Sequence, residues 1–143
     1  MSPEENKAVV RRFFDEFANK GDSSVIDEIY SPQFVMHVVD GPSVGVDSAR
    51  RGYPSFRDAF PDVKYTIEDM IAEGDMVAFR MTIEGTHLGR FMNVAPTGRK
   101  IRYSRFGIIR LEHGKWAEGW VLTNQMSLLQ QLGAIPPTSE IGR

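Results

Sequence analysis

The side chains best able to do chemistry gather toward the C-terminal third of the chain. From Lys115 the sequence runs KWAEGWVLTN, and a strand of period two would place Trp116, Glu118, Trp120, Leu122 and Asn124 on one face. Two indoles, a carboxylate and an amide suit the wall of an apolar pocket that carries a few polar groups. Packing of the tryptophans, with Glu118 solvated beside the turn, is the competing account. His37 sits mid-strand among apolar residues. A neutral imidazole there is a candidate base in a pocket, and a hydrogen-bonded core histidine is the alternative. Arg80 and Arg105 fall inside strands; turned inward they would bind an anionic group or an enolate, turned outward they are surface charge. Tyr53 occupies a helical position between Ala49 and Phe56, as a further substrate-binding group.

The elements that must position these groups are legible from periodicity. Ser2-Pro3-Glu4-Glu5 is a helix start with a capping box, and Val9, Val10, Phe13, Phe14 and Phe17 then recur at helical spacing until Gly21. A short helix is expected over Ser24 to Tyr30, stopped by Ser31-Pro32, and then a strand over Phe34 to Val39. Asp40-Gly41-Pro42-Ser43 is a loop by composition. Helical spacing runs from Asp47 to Phe60, with a break or kink expected at Gly52 and Pro54. Val63 to Glu73 and Met76 to His87 form one hairpin about Glu73-Gly74-Asp75. Ile101 onward forms another, turning at His113-Gly114, before a closing helix that ends near Gly133. Helices set against one antiparallel sheet make an α+β fold, one domain over residues 1–133 with a tail over 134–143. A curved sheet closed by helices would leave a cavity into which His37, Arg80, Arg105, Trp120 and Asn124 could converge.

Composition narrows the function. The chain has 143 residues, net charge −2 and no cysteine, which removes disulfides, thiolate catalysis and Cys-based metal sites. No basic patch interleaved with aromatics points to nucleic acid, and no apolar run approaches a membrane span. The N-terminus reads as a charged helix rather than a signal peptide, so a cytoplasmic protein is expected. Three well-separated histidines give no metal-site spacing, and no phosphate loop or nucleophile elbow is present. The strand from Ile101 to Leu111 carries apolar residues of both parities, which predicts a homodimer through the sheet.

Phe60-Pro61-Asp62, Ile71-Ala72-Glu73-Gly74-Asp75, Gly85-Thr86-His87-Leu88-Gly89 and Pro96-Thr97-Gly98-Arg99 follow one another in order. They lead into His113-Gly114-Lys115, Glu118-x-Trp120 and Leu128-Leu129-Gln130-Gln131-Leu132-Gly133. As a set they resemble the SnoaL-like polyketide cyclase (ester cyclase) family of nuclear transport factor 2-like proteins. The resemblance implies a cone-shaped α+β barrel, a curved sheet wrapped by N-terminal helices around a pocket, dimeric and without metal or organic cofactor. It implies a hydrophobic, oxygenated small-molecule ligand and aldol-type ring closure, in which a carboxylate moves the proton and donors hold the enolate. Hydroxylase components and proteins without established activity resemble the same family, so a non-catalytic binding module is the alternative. The family's acid/base is an Asp four residues after the Trp of Glu-x-Trp, and this sequence has Asn124 there. A carboxamide donates a hydrogen bond but does not exchange protons near neutrality. That leaves His37 as the candidate base, with Asn124 as a donor or as the cap of the next helix. His87 belongs to the Gly-Thr-His motif, either contacting substrate or orienting a loop. Asp40 invites comparison with ketosteroid isomerases, but their first-helix tyrosine is replaced by Phe13 and Phe14.

Overall fold

A computed structural model describes residues 1–141 of the chain, so Gly142 and Arg143, the end of the expected tail, lie outside the described residues. Helix α1 (Pro3–Arg12) begins on the expected capping box. Ser2 Oγ accepts the Glu5 N–H at 3.1 Å, and Glu5 Oε1 accepts that of Ser2 at 3.2 Å. The helix then widens into a π-helical stretch, Phe13–Ala18, in which the Asn19 N–H reaches the Phe14 carbonyl at 2.9 Å. The wider turn brings Phe13, Phe14 and Phe17 into the interior together, each no more than 2% exposed.

A 3-10 turn (Ser23–Val25) and α2 (Ile26–Ile29) lead without a loop into β1 (Tyr30–Val38). The expected strand begins at Phe34, but β1 already includes Ser31 and Pro32. Its pairing is irregular between Tyr30 and Val35, and that is where a proline without an N–H can sit. A two-residue β2 (Ser43–Val44) precedes α3 (Val46–Ala59), which runs through Gly52 and Pro54 without the expected break. Arg50, whose carbonyl loses its partner to Pro54, is exposed, as is Pro54, so water can satisfy that carbonyl.

Strands β3 (Lys64–Glu73), β4 (Met76–Thr86), β5 (Lys100–Glu112) and β6 (Lys115–Thr123) complete the sheet. Its order is β2-β1-β6-β5-β4-β3, antiparallel throughout except for the β1–β6 pair. The structure is the expected α+β fold, a curved six-stranded sheet with helices against its inner face. The inner face of β5 is set by Ile101, Tyr103, Ile109 and Leu111, all buried. Gly107 shares that face, and a Cβ there would stand 2.4 Å from the Phe79 ring, so the glycine lets that ring lie across the strand.

One bulge changes the reading of β6. Arg110 pairs with Glu118 and Leu111 with Trp116, which makes Ala117 the extra residue. Alternation restarts behind it. Trp116 points inward and is 1% exposed, whereas Glu118, Trp120 and Leu122 point outward. The expected single face of Trp116, Glu118, Trp120, Leu122 and Asn124 therefore does not form.

The motifs between the strands knit the fold together. Asp62 accepts both the N–H and the hydroxyl of Thr86 at 2.7 Å, and His87 Nδ1 accepts the Thr97 N–H at 3.1 Å. Helix α4 (Gln125–Gln131) closes the barrel, and a short α5 (Thr138–Ile141) lies within the tail, where Gln130 Nε2 donates to Thr138 Oγ1 at 3.0 Å.

Candidate functional site

Two concavities flank the sheet, one on each side. The inner one, about 530 Å³, lies between the concave face and the helices, within the range of about 300–1,000 Å³ usual for small-molecule sites. Its α3 wall is built at helical spacing: Gly45, Ser48, Ala49, Gly52, Tyr53 and Phe56 all line it. Gly52 is an exposed position of this wall, and a Cβ there would meet nothing within 4 Å. The opposite wall is largely aromatic and aliphatic, with Phe14, Tyr30, Phe34, Tyr65, Ile109 and Trp116.

One charge stands in this cavity. Arg105 occupies an inward position of β5, donating from Nε to Thr123 Oγ1 at 3.1 Å and from Nη1 to Tyr53 Oη at 3.2 Å. Nη2 has no protein acceptor among the described residues, and no Asp, Glu or His lines the cavity. Burial works against the guanidinium charge, but the phenols of Tyr53, Tyr103 and Tyr65 outweigh it and hold Arg105 above its ordinary value. Tyr53, having accepted from Arg105, can direct its own O–H into the cavity. Burial pushes the Tyr103 phenol up to about 12 and raises Tyr65 and Tyr30 as well, so these groups stay protonated donors at neutral pH. The Trp116 indole N–H is buried without a partner.

The outer concavity, about 460 Å³, is a groove on the convex face lined by Ile71, Phe106, Ile108, Trp120 and Leu122. Its charged pair is already spent: Arg80 Nε donates to Asp69 Oδ2 at 2.6 Å. Beside it, His37 bonds Glu118 Oε2 through Nε2 at 2.7 Å and Ser43 Oγ through Nδ1 at 3.0 Å, and stacks on Trp120 with centroids 5.4 Å apart. The His37 hydrogen bond, followed by Arg110, holds the Glu118 carboxyl below its ordinary value.

The sequence-derived candidates therefore separate. Arg105 and Tyr53 meet in the inner cavity. His37, Arg80, Glu118 and Trp120 lie on the convex face, because the β6 bulge and the β1–β6 register, which pairs His37 with Trp120, turn them outward. Asn124 stands just past β6 as the N-cap of α4, exposed, accepting the Ser127 N–H at 3.1 Å. His87 is fully buried, stacked on Phe60 and bonded to Thr97, away from the lining of either concavity. Asp40 is an exposed turn residue at φ 59°. Of the two indoles expected on the pocket wall, Trp116 lines the inner cavity and Trp120 does not; sequence reasoning missed Thr123, Tyr30 and Tyr65 as cavity residues. A signal existed for this wall: Arg105 is the one charged residue in the inward series Ile101, Tyr103, Arg105, Gly107, Ile109, Leu111.

The model of the SnoaL-like polyketide cyclase family matches residues 8–132. The chain belongs to this family. Among solved structures, AclR of Streptomyces galilaeus, a proposed hydroxylase, is 31% identical with TM-score 0.87, over 98% of this chain and 88% of its own. IdmH of Streptomyces antibioticus, a proposed polyketide cyclase, is 26% identical with TM-score 0.80, over 90% and 98%. A proposed SnoaL-like polyketide cyclase of Jannaschia sp. CCS1 is 26% identical with TM-score 0.83, over 95% and 98%. A search of curated proteins finds no match. Among the described residues, no cluster of three His, Cys, Asp or Glu could hold a metal, and no helix is long and apolar enough to cross a membrane.

Proposed function

We propose that the inner cavity binds a hydrophobic, oxygenated small molecule of the polyketide type and holds one of its carbonyl or enolate oxygens against Arg105 and Tyr53. The observation that carries this reading is the Arg105–Tyr53–Thr123 cluster, a charged donor set at one end of an otherwise apolar and aromatic cavity. Donors fixed before the reaction stabilise charge as it develops, which is what an enolate or aldol alkoxide requires. A methylene between two carbonyls is already acidic. Lowering the energy of its enolate speeds ring closure even when water, rather than a side chain, takes the proton.

The cavity carries no carboxylate or imidazole among its described lining residues, which favours a second reading, a module that binds such a molecule without transforming it. Neither reading uses His37 or Asn124 as the reacting group. A convex sheet face rich in apolar side chains supports assembly as a homodimer, with the cavities on the far sides of the two sheets.

Gly52 provides the test. Gly52→Leu adds a side chain at a position that lines the cavity, where a Cβ meets no neighbour, and improves helix propensity at the same time. We expect this variant to fold and to lose binding of a tricyclic aromatic keto-ester, measured by quenching of Trp116 in a Trp120→Phe background. Undiminished binding in Gly52→Leu would place the ligand elsewhere. Ring closure by the parent, lost with Arg105→Met, separates the enzyme from the binding module.

A further inference from the structure

The cavity's electrostatics say more about its ligand than its shape does. An arginine inside a protein is ordinarily neutralised by a carboxylate, because taking a charge from water is costly unless an opposite charge meets it. Here the cations paired with carboxylates are Lys7, Arg12, Arg50, Arg80 and Arg110, all outside the cavity, together with the His37–Glu118 contact. Arg105 has only neutral oxygens, and its Nη2 is without a protein acceptor among the described residues.

The remaining polar groups lean the same way. The Tyr30 and Tyr65 hydroxyls have no hydrogen-bond partner among the described residues, their high pKa keeps them as donors, and both line the cavity. A cavity with a cation and an excess of donors is complementary to a ligand with a negative charge and an excess of acceptors.

We infer that the ligand enters as an anion, a hydrophobic aromatic or polycyclic keto-acid whose free carboxylate takes the open side of the Arg105 guanidinium. This rests on the inner cavity being the binding site, and it narrows the substrate class from the esters that the family resemblance implies to the corresponding acids. A planar guanidinium matches a carboxylate's two oxygens, whereas an esterified carboxyl offers no charge and blocks one oxygen with its alkyl group.

The test compares anthraquinone-2-carboxylic acid with its methyl ester by calorimetric titration at pH 7.5, on the parent chain, Arg105→Met and Arg105→Lys. The acid should bind the parent at least about tenfold more tightly than the ester, the ratio expected for one charge-assisted contact in a sheltered site. Arg105→Met should bring the two affinities to within about twofold of each other. Arg105→Lys, which keeps the charge, should retain most of the preference and guards against a misfolded Met variant. Equal affinities in the parent, tighter binding of the ester, or a preference that survives Arg105→Met each overturn the inference while leaving the cavity reading intact. Failure of both compounds to bind overturns both.

Discussion

Replacing Arg105 by Met should leave the protein as stable as before, or more so. The guanidinium is half-buried, faces a cavity rather than bulk solvent, and has no carboxylate partner there. Its desolvation costs about 4 kcal/mol, taking the several kcal/mol typical of a buried ion and discounting for water that the cavity admits. Against this stand the hydrogen bonds to Thr123 and Tyr53, at 3.1 and 3.2 Å. At about 1.5 kcal/mol each, the lower end for charged donors because both acceptors can be rehydrated, they offset about 3 kcal/mol. Met fills similar volume with apolar atoms. The balance is a gain of about 1 kcal/mol, or about 3 °C in melting temperature for a chain of this size. Urea unfolding with an unchanged slope, together with scanning calorimetry, would measure it. A loss of more than about 2 kcal/mol would refute the reasoning, since it would make Arg105 a structural element rather than a group held at a cost for a ligand. At one fixed concentration, an anionic ligand should raise the melting temperature of the parent more than that of the variant.

Two further outcomes follow from other parts of the molecule. Ile71, Phe106 and Leu122 on the convex face are 72%, 54% and 54% exposed, so the chain should sediment as a dimer at micromolar concentration and Phe106→Glu as a monomer; a monomeric parent would contradict this. Asp62 is held below its ordinary pKa, first by the Thr86 hydroxyl and then by the Thr86 N–H. Its folded value lies below its unfolded one, so its contribution is complete above the unfolded pKa of about 4 and is lost as pH falls through the folded value. The melting-temperature gap between parent and Asp62→Asn should therefore be widest near pH 7 and close on acidification, and a gap constant from pH 7 to pH 3 would contradict the assignment.

Element types and the fold class were legible from sequence because periodicity and capping chemistry report directly on burial. The Ser2–Glu5 box and the Phe13, Phe14 and Phe17 stripe did so. The motifs that carried the family resemblance turn out to serve architecture. Asp62 ties to Thr86, and His87 to Thr97, across the ends of α3, β4 and the following loop. That is why they pointed to the fold and were silent about the ligand. The site was half legible. Arg105 broke an inward apolar series, but Trp120 and Glu118 were assigned to the pocket by extending an alternation across Ala117. A bulge leaves no mark in composition: nothing in KWAEGW distinguishes five regular strand steps from four and an extra residue. His37 went with them, since its facing depends on which residue of β6 it pairs with, a long-range fact.

On β5 and β6 the two faces are interleaved. Arg105 serves the cavity and Phe106 the convex groove, Ile109 the first and Ile108 the second, with Trp116 and Trp120 likewise divided. The sheet is thus a partition a single residue thick, and neither side can be redesigned as if the other were elsewhere. Any adjustment of backbone that tightens Arg105 around a guest also shifts the side chains of the convex groove. By thermodynamic reciprocity, whatever factor occupancy of one surface lends to binding on the other must be returned in full.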